Sequence, residues 1–484
     1  MAQARRLAPL CAVLALAACG SSSPKPPTGG PTLRLAIATQ PSTLDPARVA
    51  DLPALNVAHE LYAGLTRFSG RGVVPDLADS WEPSKGGLVW TFHLRKGIRW
   101  SDGRPIRAEE FRRAWLRALD PRTGSAYARA EMLNIRGALR YHATGSGDVG
   151  VEARDDRTLR VTLRHPVPWL DQQVAYPVFF PVRAGAWSGP FRLALRSPGR
   201  LVLERNRDYW NAVAVKPRRI VLTTSTDRVD AILPRGIAAP GFPWIETAKP
   251  PAGRGWRTLQ TLSVQLLWFV TRRPALATAD GRLDLASKLT VRELDSVVPP
   301  AMPGYAAVAP QGHSVAIIVG PRRRQVTLAY TTQDPGAASL VHEIRAELSS
   351  GRATTVNLLA FRTLQDLARA VGPPAPEGID LVLLGWSAEF FDAYNILDLF
   401  PCSSGLNIAQ WCDRSYDALM RRAVRTLDDD ARYRIERRLV DKLDHQLPAV
   451  PLRAPTEHVF LKLGVRGFRW SPLGFYELAG MTRS

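Results

Sequence analysis

Residues 379–412, IDLVLLGWSAEFFDAYNILDLFPCSSGLNIAQWC, are the part of the sequence that best defines the fold. The run 379–384 is short and largely apolar, and it ends at Gly385 and Trp386. A strand with one exposed face would alternate apolar and polar residues, so this run is typical of a strand buried on both faces. We therefore predict a buried strand here.

An acidic residue follows this strand closely. Glu389 stands among the aromatic residues Trp386, Phe390, Phe391 and Tyr394. A carboxylate in such surroundings loses solvation unless it meets a partner, so Glu389, with Trp386 and Phe390 beside it, is a candidate ligand contact. The alternative interpretation is that Glu389 pairs with an arginine at the rim of the protein.

Strands and helices alternate along the second half of the chain. Residues 261–270, 326–332 and 354–361 have strand-like patterns, and residues 338–351 and 363–371 have helical ones. This alternation predicts an α/β fold with an open, mostly parallel sheet, whose ligands bind beyond the carboxyl ends of the strands.

Three further segments have clear patterns. Residues 32–39 are strand-like, residues 105–119 predict a helix that begins at Pro105, and residues 415–446 predict a long helical region. The stretch 234–255 is rich in Pro and Gly and predicts a loop or crossover between lobes.

Length and charge limit the classes of protein to consider. A chain of 484 residues with 45% hydrophobic residues supports two or three lobes. Its formal charge of +20 comes mainly from scattered arginines, which favours contact with anionic surfaces such as phospholipid headgroups. No basic helix, zinc-finger spacing or RNA-binding signature is present, so we expect no nucleic-acid partner.

The first residues have the pattern of an export signal. Arg5 and Arg6 precede an apolar segment at 7–18, which is too short to span ~30 Å of hydrocarbon as a helix. LAAC at 16–19 resembles a bacterial lipobox, so we predict a signal peptide at 1–18 and a lipidated Cys19 that begins a Gly/Ser/Pro tether at 19–31. The alternative is a plain secretory signal in which Cys19 has no role.

Two cysteines remain in the predicted mature domain. Cys402 and Cys412 form an even pair in an exported chain, which favours a disulfide. Metal binding is the weaker alternative, since no CxxC spacing or nearby histidine pair completes a site. We expect no metal site.

Motifs for cofactor binding or catalysis are incomplete. GSGDVG at 145–150 has the spacing of a dinucleotide-binding loop, but a predicted hairpin follows it where a helix is needed. GWSAE at 385–389 lacks the closing glycine of a hydrolase nucleophile elbow, and the eight histidines fall singly. We therefore expect no cofactor, no catalytic residues and no enzymatic activity.

Several motifs in order resemble those of family 5 of the bacterial extracellular solute-binding proteins, the periplasmic oligopeptide- and dipeptide-binding lipoproteins of ABC transporters. They include STLDP at 42–46, PDLADSWE at 75–82, VWTFHLRKGIRWSDG at 89–103, LERNRDYW at 203–210 and GWSAEFFDA at 385–393. The similarity extends over most of residues 32–484.

This resemblance implies a fold and a division into domains. The expected fold is of the periplasmic-binding-protein type II kind, with two α/β lobes joined by hinge segments and a smaller β-rich lobe. Lobe I is expected from 32–48 with 158–240 and 456–484, the smaller lobe from 49–157, and lobe II from 255–455.

The resemblance also implies a function, namely capture of a peptide or peptide-like solute and its delivery to ABC permease subunits. In peptide-binding members the position of Glu389 holds the ligand's amino group, and the position of Tyr127 lies along the ligand. We expect a monomer held on the extracytoplasmic face of the membrane by its lipid anchor.

The sequence departs from the family pattern at three places. Residues 272–298 are shorter than usual, and Arg453, Ala454 and Pro455 replace common aromatic residues. An arginine sometimes found just before the Gly-Trp pair is replaced here by Leu383 or Leu384. No residue is therefore assigned to a peptide's carboxylate. The alternative function is a degenerate surface lipoprotein that acts in interaction or signalling without transport, and an anchored hydrolase ranks third.

Overall fold

The computed structural model describes residues 29–37, 40–224, 256–305, 324–333, 335–350, 354–372, 378–461 and 464–483. The helices of these residues are α1 (Leu52–Leu61), α2 (Ala108–Leu119), α3 (Ala138–Thr144), α4 (Leu170–Gln173), α5 (Ala279–Ala286), α6 (Pro335–Ser349), α7 (Leu364–Val371), α8 (Tyr394–Leu397), α9 (Arg414–Ala423) and α10 (Asp429–Gln446).

The strands of the described residues, in chain order, are β1 (Thr32–Ile37), β2 (Thr66–Ser69), β3 (Gly72–Pro75), β4 (Ala78–Ser84), β5 (Val89–Leu94), β6 (Val151–Ala153), β7 (Thr158–Thr162), β8 (Phe191–Ser197), β9 (Arg200–Arg205), β10 (Arg219–Thr224), β11 (Trp256–Gln260), β12 (Ser263–Phe269), β13 (Arg324–Thr331), β14 (Thr354–Phe361), β15 (Leu381–Ser387), β16 (Ala449–Arg453), β17 (Thr456–Phe460), β18 (Val465–Arg466), β19 (Arg469–Trp470), β20 (Tyr476–Glu477) and β21 (Thr482–Arg483).

A five-stranded sheet holds the predicted buried strand at its centre. Its order is β14-β13-β15-β12-β16, so β15 has a neighbour on each side. Leu381, Val382 and Leu383 of β15 are at most 3% exposed, which confirms the prediction of burial on both faces. Asp380, inside the apolar run, lies just before the strand and accepts hydrogen bonds from Arg273 and from the main chain of Thr327.

The prediction of a mostly parallel sheet was wrong in part. Strand β13 is parallel to β14 and β15, but β12 is antiparallel to both β15 and β16. Helices α6 and α7 cross over between the parallel strands, which imposes their common direction. The strands that flank β12 in the sheet do not precede or follow it directly in the chain, so no such crossover fixes its direction. The alternation of strands and helices in the sequence therefore does not reveal that β12 is antiparallel.

Two four-stranded sheets come from the first half of the chain. One has the order β1-β10-β9-β8, with β1 parallel to β10 and the other pairs antiparallel. The other, β4-β5-β7-β6, is antiparallel throughout. Helix α2 packs on this second sheet and buries Phe111, Trp115 and Leu119 completely.

One predicted helix boundary was wrong, and one predicted helical region is divided. Pro105 does not begin α2, because it lies in a β-bridge with Arg99. The helix starts three residues later, at Ala108, where the Glu110 side chain accepts from the main-chain N–H of Arg107. The helical region 415–446 is two helices, since Asp428 caps the start of α10 through the main-chain N–H of Ala431. The predicted crossover at 234–255 lies outside the described residues.

Candidate ligand-binding cavity

A cavity of about 250 Å³ opens at the carboxyl end of β15. Its wall is formed by residues from 50–55, from the starts of β12 and β17, from the end of β15 and from 472–475, together with Tyr127 and Tyr176. Strand β12 begins where β15 ends, and the hydroxyls of Ser263 and Ser387 lie 2.8 Å apart across this pair. Glu389 lines the cavity two residues beyond the strand.

Main-chain hydrogen bonds fix the turn that carries Glu389. The Tyr176 hydroxyl donates to the Glu389 carbonyl oxygen at 2.6 Å, and the N–H of Phe391 donates to Gln172 Oε1 at 2.6 Å. The N–H of Ala388 donates to the carbonyl of Leu262 at 3.0 Å. The half-buried side chain of Glu389 is thus held at one place on the cavity wall.

Tyr127 reaches the same cavity from a distant part of the chain. It precedes a single π-helical turn, Ala128–Met132, and its ring lies 5.7 Å from that of Tyr176 in a stacked arrangement. Burial, and next the charge of Glu389, raise the pKa of Tyr127 to about 12. Two predicted ligand contacts, Glu389 and Tyr127, are therefore brought together at one cavity.

A second carboxyl group lies behind Glu389. Glu131, on the π-helical turn, is 6% exposed, and its Oε2 accepts a hydrogen bond from Gln173 Nε2 at 3.0 Å. Burial raises the pKa of Glu131 well above its ordinary range, and the neighbouring carboxyl group of Glu389 raises it further.

A third acid, Glu457 on β17, lines the cavity from another wall. Burial raises the pKa of its carboxyl group to about 7. Among the described lining residues, Glu389 and Glu457 are carboxylates and none is Lys, Arg or His. The cavity is thus acidic in a chain whose formal charge is +20.

Sequence reasoning missed Glu131, Glu457 and Tyr176. Glu131 follows Tyr127 by four residues, a spacing that places two side chains on one face of a helical turn, and this signal was present. Nothing near Glu457 or Tyr176 in the sequence marks them, because only the tertiary fold brings β17 and the segment after α4 to Glu389.

Trp386 and Phe390 do not belong to the described lining of this cavity. The indole N–H of Trp386 donates to Asn395 Oδ1 at 2.9 Å. Phe390 is 7% exposed and stacks on Trp169, with ring centroids 4.6 Å apart. Both side chains thus have partners within the protein, and their predicted contact with a ligand stays a prediction.

A larger cavity of about 390 Å³ lies on the other side of Phe475, which lines both. Two of its charged groups already have partners: Arg67 pairs with Glu477 at 3.0 Å, and Asp76 accepts from the indole N–H of Trp210 at 2.7 Å. The 250 Å³ cavity, whose carboxylates have no basic neighbour in its described wall, is therefore the better candidate for a charged ligand.

The predicted cysteine pair lies in the segment between α8 and α9. The structure joins Cys402 and Cys412 in a disulfide. Inside the loop, the Asn407 side chain donates to the carbonyls of Phe400, Pro401 and Trp411. The predicted lipidation site, Cys19, lies outside the described residues.

The described residues contain no helix that is both long and apolar enough to cross a membrane. Nor does this part of the chain place three or more His, Cys, Asp or Glu side chains where they could hold a metal ion.

The mixed sheets and helices superimpose on solved structures of the two-lobe α/β periplasmic-binding-protein type II class, which establishes the class of the fold. The family model for bacterial extracellular solute-binding proteins, family 5 (middle part), matches residues 72–316. The chain belongs to this family.

Similar proteins match nearly the whole chain. The probable deoxycholate-binding periplasmic protein YgiS of Escherichia coli K12 is 28% identical, with 89% of each chain covered. The oligopeptide-binding protein OppA of Bacillus subtilis 168 is 25% identical, with 91% of each covered. The unliganded open form of the periplasmic murein tripeptide-binding protein MppA superimposes with a TM-score of 0.81 at 21% identity, over 94% of this chain and 99% of that one.

Proposed function

We propose that this protein captures a peptide or peptide-like solute outside the cytoplasm and delivers it to an ABC importer. The observation that carries the proposal is the position of Glu389, held at the end of a central strand on the wall of an acidic cavity that Tyr127 also lines. An ionised carboxylate is the natural partner of a ligand's ammonium group, and an aromatic wall suits an extended chain.

The charge of the cavity favours this ligand class over others. Relatives are named for oligopeptides and for deoxycholate. Deoxycholate is an anion, and its carboxylate would meet Glu389 and Glu457 with no described basic side chain in the wall. A peptide's amino end instead supplies the cation that these carboxylates need.

The geometry of the cavity supports a role for two of the predicted site residues. We assign Glu389 to the ligand's ammonium group and Tyr127 to the wall beside it. The packing of Trp386 and Phe390 supports a role in holding the turn, so a contact of either with the ligand would require a rearrangement of that turn. The proposal needs no covalent chemistry.

We further propose that lobe I comprises 32–48, 158–240 and 456–484, the smaller lobe 49–157 and lobe II 255–455. Residues 1–18 and Cys19 would export the chain and anchor it by lipid on the extracytoplasmic face, where a monomer meets its permease. The LAAC pattern supports the anchor. Fractionation of membranes from cells that express the chain tests it, and a protein found only in the soluble fraction would exclude the anchor.

The function is tested with a defined library of tripeptides that have free amino ends. After desalting, mass spectrometry of the intact protein under non-denaturing conditions identifies the peptides that stay bound. We expect a subset of the library to be retained, and the same library with acetylated amino ends to be retained far less. A protein that retains no peptide from either library would refute the proposal.

A further inference from the structure

Glu131 and Glu389 form a pair of carboxyl groups that holds one proton. They come from the π-helical turn and from the turn after β15, and adjacent residues of α4 hold both turns, since Gln173 donates to Glu131 Oε2 and Gln172 accepts from the N–H of Phe391. Two neighbouring carboxylates repel each other, so a proton on one of the two stabilises the pair. The buried position of Glu131, at 6% exposure, places the proton there.

None of the described groups that face Glu131 is a cation. Gln173 donates to it from α4, Tyr127 lies on its own turn, and Tyr176 lies beside all of them. The influences on the pKa of Glu131 are burial, Glu389 and Gln173, with no basic side chain among the described residues. Glu457 is the other carboxyl group of the cavity wall. The pair thus carries one negative charge that nothing in its described surroundings neutralises.

We propose that Glu131 is a ligand-binding and specificity-determining residue, and that the ligand's ammonium group takes the place of the proton shared by Glu131 and Glu389. This inference rests on the proposed function. In the exchange, the proton leaves Glu131 for solvent, and the ammonium N–H groups donate to both carboxylates. The pair carries −1 before binding, and the two carboxylates together with the bound ammonium group carry −1 afterwards, so the buried site accepts a cation without a change in total charge.

The exchange selects among peptides and peptide-like solutes. A ligand with a free ammonium group can replace the proton, whereas an acetylated or anionic one cannot and leaves the proton in place. Capture is then coupled to proton release. Because the bound cation lowers the pKa of Glu131 from its raised value, affinity increases as pH rises, by up to roughly tenfold per pH unit.

Calorimetry tests the exchange with the tightest-binding tripeptide from the library. Binding is measured between about pH 5 and pH 7, where the peptide's amino group stays protonated, in two buffers of different ionisation enthalpy. We expect the unmodified protein to release up to one proton per peptide and Glu131→Gln to release none. The Glu131→Gln variant should also lose the rise of affinity with pH.

Glu457→Gln is the matched control, because Glu457 lines the same cavity and also titrates near neutral pH. This variant should still release the Glu131 proton. Proton release that survives in Glu131→Gln but disappears in Glu457→Gln would overturn the proposal. So would peptide binding with no proton release at all, an outcome that leaves the proposed function standing.

Infrared difference spectroscopy on the unmodified protein does not depend on how the variants fold. Addition of the peptide should remove a C=O stretching band of a protonated carboxyl group. If the band is unchanged on saturation, Glu131 keeps its proton and the exchange does not occur. If no library peptide binds at all, the proposed function fails and this inference fails with it.

Discussion

At the scale of single residues, burial acts differently on the acids of one cavity. It raises the pKa of Glu457 to about 7 without help from another charge. Glu131 is more deeply placed and also faces Glu389, so its pKa is raised well above the ordinary value. One acid is therefore held neutral behind another that contacts the cavity, which is an arrangement for exchange with a cation.

Burial of the Glu131 carboxyl group lowers the stability of the folded protein at neutral pH, and Glu131→Gln should restore that stability. The unfolded chain releases the Glu131 proton near pKa 4.5, whereas the folded chain keeps it to higher pH. Stability from this group is therefore complete at low pH and falls as pH rises, by at most about 1.4 kcal/mol per pH unit. Glutamine does not titrate, so it makes no pH-dependent contribution to stability.

Thermal unfolding from about pH 4 to pH 7 measures the difference. We expect the melting temperature of Glu131→Gln to equal that of the unmodified protein at the acidic end of this range. Toward neutral pH, the melting temperature of the variant should be increasingly higher. Glu293→Gln, at an exposed side chain, is the control and should show no such trend. A difference that stays constant with pH would contradict the neutral state of Glu131.

The sequence identified part of this site. Glu389 was found from an acid set among aromatic residues after an apolar run, and Tyr127 from the family resemblance. The sequence did not separate the aromatic residues that face the cavity from those that pack behind it, because Trp386 and Phe390 differ from Tyr127 only in tertiary surroundings. Glu457, on the short strand β17, could not be recognised from the sequence for the same reason.

At the scale of elements, the turn after β15 is fastened to α10 by a buried ion pair. Arg432 of α10 donates to Asp392 Oδ2 at 2.8 Å, and the two residues are 4% and 1% exposed. Glu436, one turn further on, is fully buried, and burial and the charge of Asp392 raise its pKa to about 10. It is therefore neutral, and Arg432 neutralises Asp392.

Replacing Arg432 by Met tests this connection. The variant leaves Asp392 buried without its cation, so we expect a loss of about 3–5 kcal/mol in the free energy of unfolding. Denaturant unfolding measures it, with Arg434→Met at an exposed position of the same helix as the control. A loss no larger than that of the control would show that the pair does not hold the turn.

Local pattern predicted most of the elements near this turn. The buried β15 follows from an apolar run, and α2, α6 and α7 from helical spacing, with boundaries that moved by a few residues. The start of α2 was misplaced because Pro105 is equally compatible with a β-bridge. The break before α10 was missed, although Asp428 is a typical N-cap residue.

At the scale of the whole molecule, the fold brings distant segments to one cavity. Tyr176 and Glu389 are hydrogen-bonded across 213 residues of sequence, and Glu457 reaches the same wall from β17. The sequence indicated an α/β fold and, through the resemblance, its family. It did not indicate the antiparallel insertion of β12, whose neighbours are set by long-range pairing.

The central claim is that Glu389 holds the ligand's ammonium group. The most direct measurement is the dissociation constant of the tightest library tripeptide for the unmodified protein and for Glu389→Gln, with Glu82→Gln as the control. A hydrogen bond to a charged group contributes about 1.5–3 kcal/mol, so the account predicts binding roughly 10- to 150-fold weaker in Glu389→Gln and unchanged in the control. Equal affinity in Glu389→Gln and the unmodified protein would contradict it.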